Sequence, residues 1–417
     1  MVSPFMPDGD KVAAIRSLLP ATAAGIYLNA GTCGPLPAET QRAMDEQAAM
    51  ELATGRALTD QWLAFAERQA EARASLAAIL VADPSDIALT HSTTDGINLV
   101  LSSIPWRSGD RVLTTTAEHP GVLGPLQAIR DRYGIEVVRL DIGDGGDAEQ
   151  IAATFAAALE RPARAVVASH VLWTTGAILP VGRIVALARA AGAVSVIDGA
   201  QSAGAIPVAV EAIDADAYAV PGQKWLLGPE GMGGLHVRRS FWQAATPMTA
   251  SYASFASFDL ERGGVLHPDA RRFEATGFHR PSVVGFARSL GWLGMFVGLP
   301  WALDRAARLS QTAYARLAGI PGVRMVSPKG AHGTLVTFRI DGWTARQVVT
   351  ELAPRVFSII RDLPAIDAIR ISTGFWNTDE ELERFAGAVE LLAAHTPETI
   401  PPRRTLTVLG SDDRPLV

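Results

Sequence analysis

The 417-residue sequence is 48% hydrophobic and only 19% charged, enough apolar material for one large domain and a smaller one. A formal net charge of -6, with adjacent arginines only at Arg238-Arg239, Arg271-Arg272 and Arg403-Arg404, argues against nucleic-acid and membrane-surface partners. One cysteine, Cys33, excludes an internal disulfide and fits a reducing, cytoplasmic setting. The first residues lack the pattern of a secretory leader, and the longest apolar run, 290–303, is broken by glycines and Pro300 and is too short for a bilayer.

In chain order, a helix is expected over 11–19, inside a segment, 1–30, that lies as an arm on a small carboxyl-terminal domain. Residues 26–29 read as a short extended piece that enters a turn-dense loop, 30–37. Helical patterns follow at 38–53 and 60–81, where Trp62, Phe65, Leu76, Ile79 and Leu80 form an apolar face. From residue 87, strand-like runs (87–91, 111–116, 136–140, 165–170, 194–198, 216–220, 233–237) alternate with helical ones (95–103, 122–133, 148–160, 182–191). Such alternation predicts an α/β fold, with a mainly parallel seven-stranded sheet between helices in a large domain spanning 31–290. The last two connections are short, so the sheet is expected to be mixed at its edge. Residues 250–268, rich in Ser, Ala, Phe and Gly, read as a long loop without a packed element. Helices at 282–297 and 300–318 lead into a small α+β domain, 291–417. It holds strands at 323–327, 334–340, 356–360 and 368–372, with helices at 344–353 and 379–394. The Pro- and Arg-rich tail after 397 is expected to be extended.

Two of these strands deliver groups of opposite charge. The run VSVID ends in Asp198, and AYAVPGQK brings Lys224 just past its own strand. Open α/β sheets bind ligands at the carboxyl ends of their strands. An amine there forms Schiff bases, and a carboxylate partners a pyridinium nitrogen, which together are the minimum for pyridoxal 5'-phosphate chemistry. A helix cap and a solvated lysine would explain each residue alone, so the weight falls on what accompanies them. In THSTTDGIN a strand ends and a helix opens on Ser92, Thr93 and Thr94, an anion site made of free amides, a helix dipole and hydroxyls. Ordinary capping needs only one of the three. His119, in EHP after the next strand, has a ring suited to stack on a planar cofactor. Arg370, at the end of a late strand, is a natural bidentate clamp for a substrate carboxylate. No GxxxxGK[ST] or GxGxxG motif opens a helix, and the eight histidines show no metal-ligand spacing, so neither a nucleotide nor a metal is expected.

Seven segments occur in one order: STTDGIN, AEHPG, SHVLWTTG, VIDGAQSAG, GQKWLLGPEGMG, RRFEATG and IRISTGFWNTDEE. Over residues 27–391 they resemble the class V aminotransferase family of fold type I pyridoxal phosphate enzymes, which includes cysteine desulfurases, C–S lyases, kynureninases and isopenicillin N epimerase-like proteins. The resemblance implies that Lys224 carries the cofactor and Asp198 keeps its ring nitrogen protonated. Gln201 would contact the ring hydroxyl, His119 would stack on the ring, and Thr93, Thr94 and Gln223 would hold the phosphate. Arg370 would take the substrate carboxylate, with Asn29 in a pocket-lining loop that reaches Cys33. Thr276 falls where the family reaches across a dimer to the partner's phosphate, which implies a homodimer with shared active sites.

Three departures narrow the chemistry. Where desulfurases place an Asn on the ring hydroxyl this sequence has Trp173, which can pack against the ring but offers only an N–H. Pro221 and Gln223 replace a hydroxyl and an imidazole before the lysine. The segment 357–364, FSIIRDLP, lacks the mobile catalytic cysteine that desulfurases need, and Cys33 reads as a structural thiol. The resemblance is nearest to the C–S lyase branch. It implies β-elimination from cysteine, cystine or another S-substituted cysteine, giving pyruvate, ammonia and a thiol or persulfide. Transamination or epimerisation at Cα is the alternative. A non-catalytic cofactor-binding regulator is disfavoured by the charge and by the lack of a DNA-binding segment.

Overall fold

A computed structural model describes residues 7–403. Its centre is a seven-stranded sheet in the order Ile87–Thr90, Gly233–Val237, Ala217–Pro221, Val194–Asp198, Ala165–Ser169, Arg111–Thr115 and Glu136–Leu140. All pairings are parallel except those of Gly233–Val237, which runs antiparallel to both neighbours. Its short connection from Ala217–Pro221 leaves no room for a crossover helix, so the chain turns back and the sheet is mixed where the spacing suggests. The inner strands are Val-, Ala- and Ile-rich and buried throughout, as a sheet covered on both faces requires. Separate apolar clusters lie on the two faces. One gathers Leu76, Leu89, Phe155, Ile197 and Phe286, and the other gathers Val100, Leu126, Val167 and Val196. Thr90, Thr115, Ser169, Asp198 and Pro221 therefore end at one edge of the sheet.

A second, antiparallel sheet orders Val323–Met325, Leu335–Ile340, Ala368–Ser372 and Arg361–Leu363. The helices Leu299–Ala318, Ala345–Val356 and Asp379–Ala393 cover it, with Leu309, Phe338, Val348, Ile369 and Phe385 in a core of its own. Residues 26–27 reach this region. Ile26–Tyr27 pairs in parallel with Ser358–Ile359, and Arg16 of the first helix, Asp8–Ser17, bridges to Glu381 and donates to the Trp376 carbonyl. Among the described residues no single helix is long and apolar enough to cross a membrane.

Two expectations are corrected. Residues 250–268 are not a bare loop, because Phe255–Asp259 and Gly263–Leu266 form an antiparallel hairpin. Asp259 accepts the N–H groups of Glu261 and Arg262, and Gly263 supplies a φ of 83°, so the turn is well specified under a Ser/Gly-rich composition. The expected strand at 356–360 is broken at Phe357, whose φ is 53°. Ser358–Ile359 then pairs with Ile26–Tyr27, and Arg361–Leu363 joins the second sheet. The tail beyond Arg403 lies outside the described residues.

Candidate active site

Where the first sheet ends and the second begins there is a cavity of about 200 Å³. Nine of the eleven residues expected from sequence line it: Thr93, Thr94, His119, Trp173, Asp198, Gln201, Gln223, Lys224 and Arg370. Local structure explains how each arrives. Ser92 caps the helix Thr93–Ser103 by accepting the Asp95 N–H at 3.1 Å, leaving the Thr93 hydroxyl free. His119 caps the helix Pro120–Tyr133: its Nδ1 accepts the Gly121 N–H at 2.9 Å, and Pro120 takes the first position, where no donor is needed. The imidazole proton is thereby placed on Nε2. The edge of Trp173 meets the His119 ring at a centroid distance of 5.1 Å and an angle of 87°. Gln201 is held at both ends of its amide, donating to the Gly31 carbonyl at 2.8 Å and accepting from Trp225 at 3.0 Å.

Two expected residues stand off the wall. Asn29 lies behind it, where its side chain accepts the Thr32 hydroxyl and its carbonyl accepts the Thr32 and Cys33 amides, shaping the loop that brings Gly31 and Thr32 to the cavity. Thr276 sits at a bend before Phe278, whose ring stacks on His91 at 4.6 Å, one residue ahead of the Ser92 cap.

The residue that sequence reasoning missed is Arg361. It lines the cavity and is the direct antiparallel partner of Arg370, so two guanidiniums face each other across one ladder. Like charges in that position destabilise a sheet. Both reach Thr32 Oγ1, at 3.1 and 3.4 Å, and Arg370 also donates to the Trp173 carbonyl at 2.9 Å. Neither forms a salt bridge among the described residues. Only the observed pairing of Arg361–Leu363 with Ala368–Ser372 puts the two arginines on one face, and the sequence alone does not supply that partner strand.

Burial governs the electrostatics. It pushes the Asp198 carboxyl upward, although the Ala200 N–H and Lys224 pull the other way. It lowers the Lys224 amine to about 8 against the attraction of Asp198. Both members of the pair are thus driven toward neutrality, because their attraction does not offset desolvation. The His119 imidazole is lowered to about 4, by burial first and then by Lys224, Arg361 and Arg370, and stays neutral. Burial and Arg361 also lower Arg370. The site is an excess of positive charge awaiting an anion.

Its unpaired groups say which kind. Thr93 Oγ1, Gln223 Oε1, Trp173 Nε1 and Arg370 Nε are buried with no partner among the described residues. At Gly121 a Cβ would come within 2.5 Å of Thr94 Oγ1, so only backbone fits beside that hydroxyl. An unpartnered hydroxyl at a helix start, and an imidazole, a carboxylate and an amine lining the same cavity, fit a phosphorylated pyridine aldehyde. A larger apolar cleft of about 530 Å³ beside Met295 has Asp304 as its one ionisable lining residue and offers no comparable chemistry.

The sequence model described as aminotransferase class-V matches residues 26–385. The chain belongs to the class-V aminotransferase family. It is 31% identical over 405 residues to an isopenicillin N epimerase of Streptomyces clavuligerus, covering 90% of this chain and 96% of that protein. To a probable cysteine desulfurase of Methanothermobacter thermautotrophicus it is 26% identical over 396 residues, covering 91% and 97%. Among solved structures, it superposes on the cystine C–S lyase C-DES in complex with its reaction product cysteine persulfide. There the TM-score is 0.84, with 25% identity and coverage of 89% and 99%. A C-DES mutant with glycine covalently linked to the pyridoxal phosphate cofactor gives 0.85 and 26%, covering 90% and 98%. This class-V chain is therefore a fold type I enzyme dependent on pyridoxal 5'-phosphate.

Proposed function

We propose that the enzyme is a C–S lyase whose preferred substrate is an S-substituted cysteine carrying a second carboxylate, such as cystine. The observation that carries this reading is the opposed pair Arg361 and Arg370, two buried-edge cations with no acidic partner among the described residues. An amino acid with one carboxylate satisfies Arg370 and leaves Arg361 unmatched. The C-DES neighbour, a cystine C–S lyase, supports the same substrate class.

The roles follow from position. Thr93, Thr94 and Gln223 would hold the phosphate at the helix start, His119 would stack on the ring, and Asp198 would keep a proton on the ring nitrogen. Trp173 and Gln201 would border the ring edge. When bound, pyridoxal phosphate supplies an electron sink for the pair released at Cα. Lys224, lowered to about 8, carries a usable fraction of neutral amine near neutral pH and takes the Cα proton. Arg370 and Arg361 fix the two carboxylates, so that the Cβ–S bond stays aligned and the sulfur leaves with its electron pair. Water then completes the products: pyruvate, ammonia and a thiol or persulfide. No cysteine lies in the segment around Arg361, so sulfur leaves as a free product.

Epimerisation at Cα is the second reading, favoured by the isopenicillin N epimerase relative. It needs proton transfer at both faces of Cα. His119 is unsuited to the second transfer, because its Nδ1 is occupied and its imidazole stays neutral. We assign Thr276 to the partner's phosphate in a homodimer. Exposed Trp62, Leu63, Phe258 and Leu260 supply apolar surface for that contact.

The test is to load the purified protein with cofactor, add cystine, and measure pyruvate and persulfide. Lys224→Ala is expected to lose the visible band and product formation together. An intact band that exchanges the Cα proton with solvent deuterium but yields no pyruvate would reject the lyase in favour of the epimerase.

A further inference from the structure

Glu118 is buried to 3% exposure, and the chemistry above makes no use of it. It directly precedes His119 in the chain. Its Oε1 accepts the Thr115 hydroxyl at 2.8 Å and the Ser169 N–H at 3.1 Å, and its Oε2 accepts the Ser169 hydroxyl at 2.5 Å. Thr115 and Ser169 end neighbouring strands, and Ser169 is the register partner of Asp198 on the next strand. One carboxyl therefore ties the strand ends beneath the cavity and sets a second acid behind Asp198.

The groups around it leave that acid without a counter-charge. Asp198 faces it from the adjacent strand, with like charge. His119 adjoins it and His170 follows Ser169; burial lowers each imidazole to about 4, so both are neutral. Arg139, on the edge strand, is engaged at the Thr116 carbonyl instead. Three donors converge on the carboxyl, which favours the charged form, while burial first and then Asp198 oppose it. The balance lies at about 7, so the charge is within reach of any cation bound against Asp198.

We propose that Glu118 is a positioning residue whose charge, acting through Asp198, helps hold the proton on the nitrogen of the cofactor ring. The inference rests on the cofactor, which lyase and epimerase readings share, and its failure would leave both untouched. A carboxylate behind Asp198 stabilises positive charge on the bound chromophore. Removing it makes the cationic form of that chromophore lose its proton more easily, so the change occurs at lower pH.

The experiment is a pH titration of the visible absorption band of the cofactor-loaded protein. Glu118→Gln keeps the shape and loses the charge; its midpoint is expected to fall by about one pH unit, as for a charge acting across several ångströms of protein. Glu118→Asp keeps the charge and is expected to titrate closer to the native protein than Glu118→Gln. Ser169→Ala keeps the carboxyl but removes its shortest donor, and is expected to shift the midpoint in the same direction by less. It decides the question alone if Glu118→Gln does not fold. An unchanged midpoint in the folded variants, or equal shifts in Glu118→Gln and Glu118→Asp, would overturn the proposal and leave Glu118 as packing only.

Discussion

Replacing Arg361 by Gln is expected to make the unliganded protein more stable and the enzyme worse at one class of substrate. Nitrogens of Arg361 and Arg370 each lie within 3.4 Å of Thr32 Oγ1, so they are no more than about 7 Å apart. Two unit charges at that separation repel by about 2 kcal/mol at an effective dielectric constant near 20. Arg361 is only partly buried, so solvent screens part of this, and about 1 kcal/mol of relief is expected. That corresponds to a gain of roughly 1–2 °C in the melting midpoint for a chain of this size. A charge-assisted hydrogen bond to a substrate carboxylate contributes about 1.5–3 kcal/mol, so kcat/KM for cystine is expected to fall roughly 10- to 150-fold. S-methylcysteine, with a single carboxylate for Arg370, is expected to change by less than about threefold. Thermal melts of the apo protein and pyruvate release from the two substrates measure all three quantities. A less stable variant that loses both substrates equally would refute the reasoning, because Arg361 would then be a structural residue.

Three other outcomes are expected. Thr93→Val removes a buried hydroxyl that has no partner among the described residues, and is expected to weaken pyridoxal phosphate binding to the apo protein about tenfold or more in equilibrium dialysis. His170 and His236 are buried with imidazoles lowered to about 4, so between pH 6.5 and 4 the unfolded chain binds more protons than the folded one. Stability is therefore full above pH 6.5 and falls as pH drops toward 4; the melting midpoint should fall between pH 7 and 5, and by less in His170→Gln. Cys33→Ser is expected to leave pyruvate formation within about threefold, since the thiol bonds weakly to Glu230 at 3.6 Å and the proposed elimination assigns it no step. A loss of a hundredfold there would sink the cysteine-free route.

The two poles of the site were legible because they sit where a buried strand stops. The apolar run of Val194–Asp198 ends on a carboxylate, and that of Ala217–Pro221 is followed at once by a lysine. The candidate anion site was legible because three hydroxyl residues in succession exceed what a cap needs, and the structure uses Ser92 for the cap and leaves Thr93 free among the described residues. Arg361 was not legible for a different reason. The apolar run before it reads as one strand, while the backbone reverses hand at Phe357 and hands its two halves to different sheets. Which strand lies opposite Arg370 is a tertiary fact that no local period encodes. The hairpin of 255–266 was hidden by composition, since the few large apolar residues of its strands, Phe255, Phe258, Val265 and Leu266, lie among Ser, Ala and Gly without a period of two. Asn29 stands off the cavity wall: its side-chain oxygen and its carbonyl accept from Thr32 and Cys33 of its own loop.

The short pairing of Ile26–Tyr27 with Ser358–Ile359 bears on when the enzyme becomes an enzyme. The loop that carries Gly31 and Thr32 to the cavity is anchored just upstream, at Tyr27, whose carbonyl accepts the indole N–H of Trp376 from 349 positions away. A ribosome releases the first of these residues long before the second. Closing so long a loop costs about 2 kcal/mol more than closing one an eighth its length, so the contact is tolerable but late. Asp198 and Lys224 can meet while the chain is still growing, but the wall of Arg361 and Arg370, proposed to receive a carboxylate, waits for its last hundred residues. A chain cut short after the first sheet would keep the cofactor's two poles and have no means of holding a substrate against them.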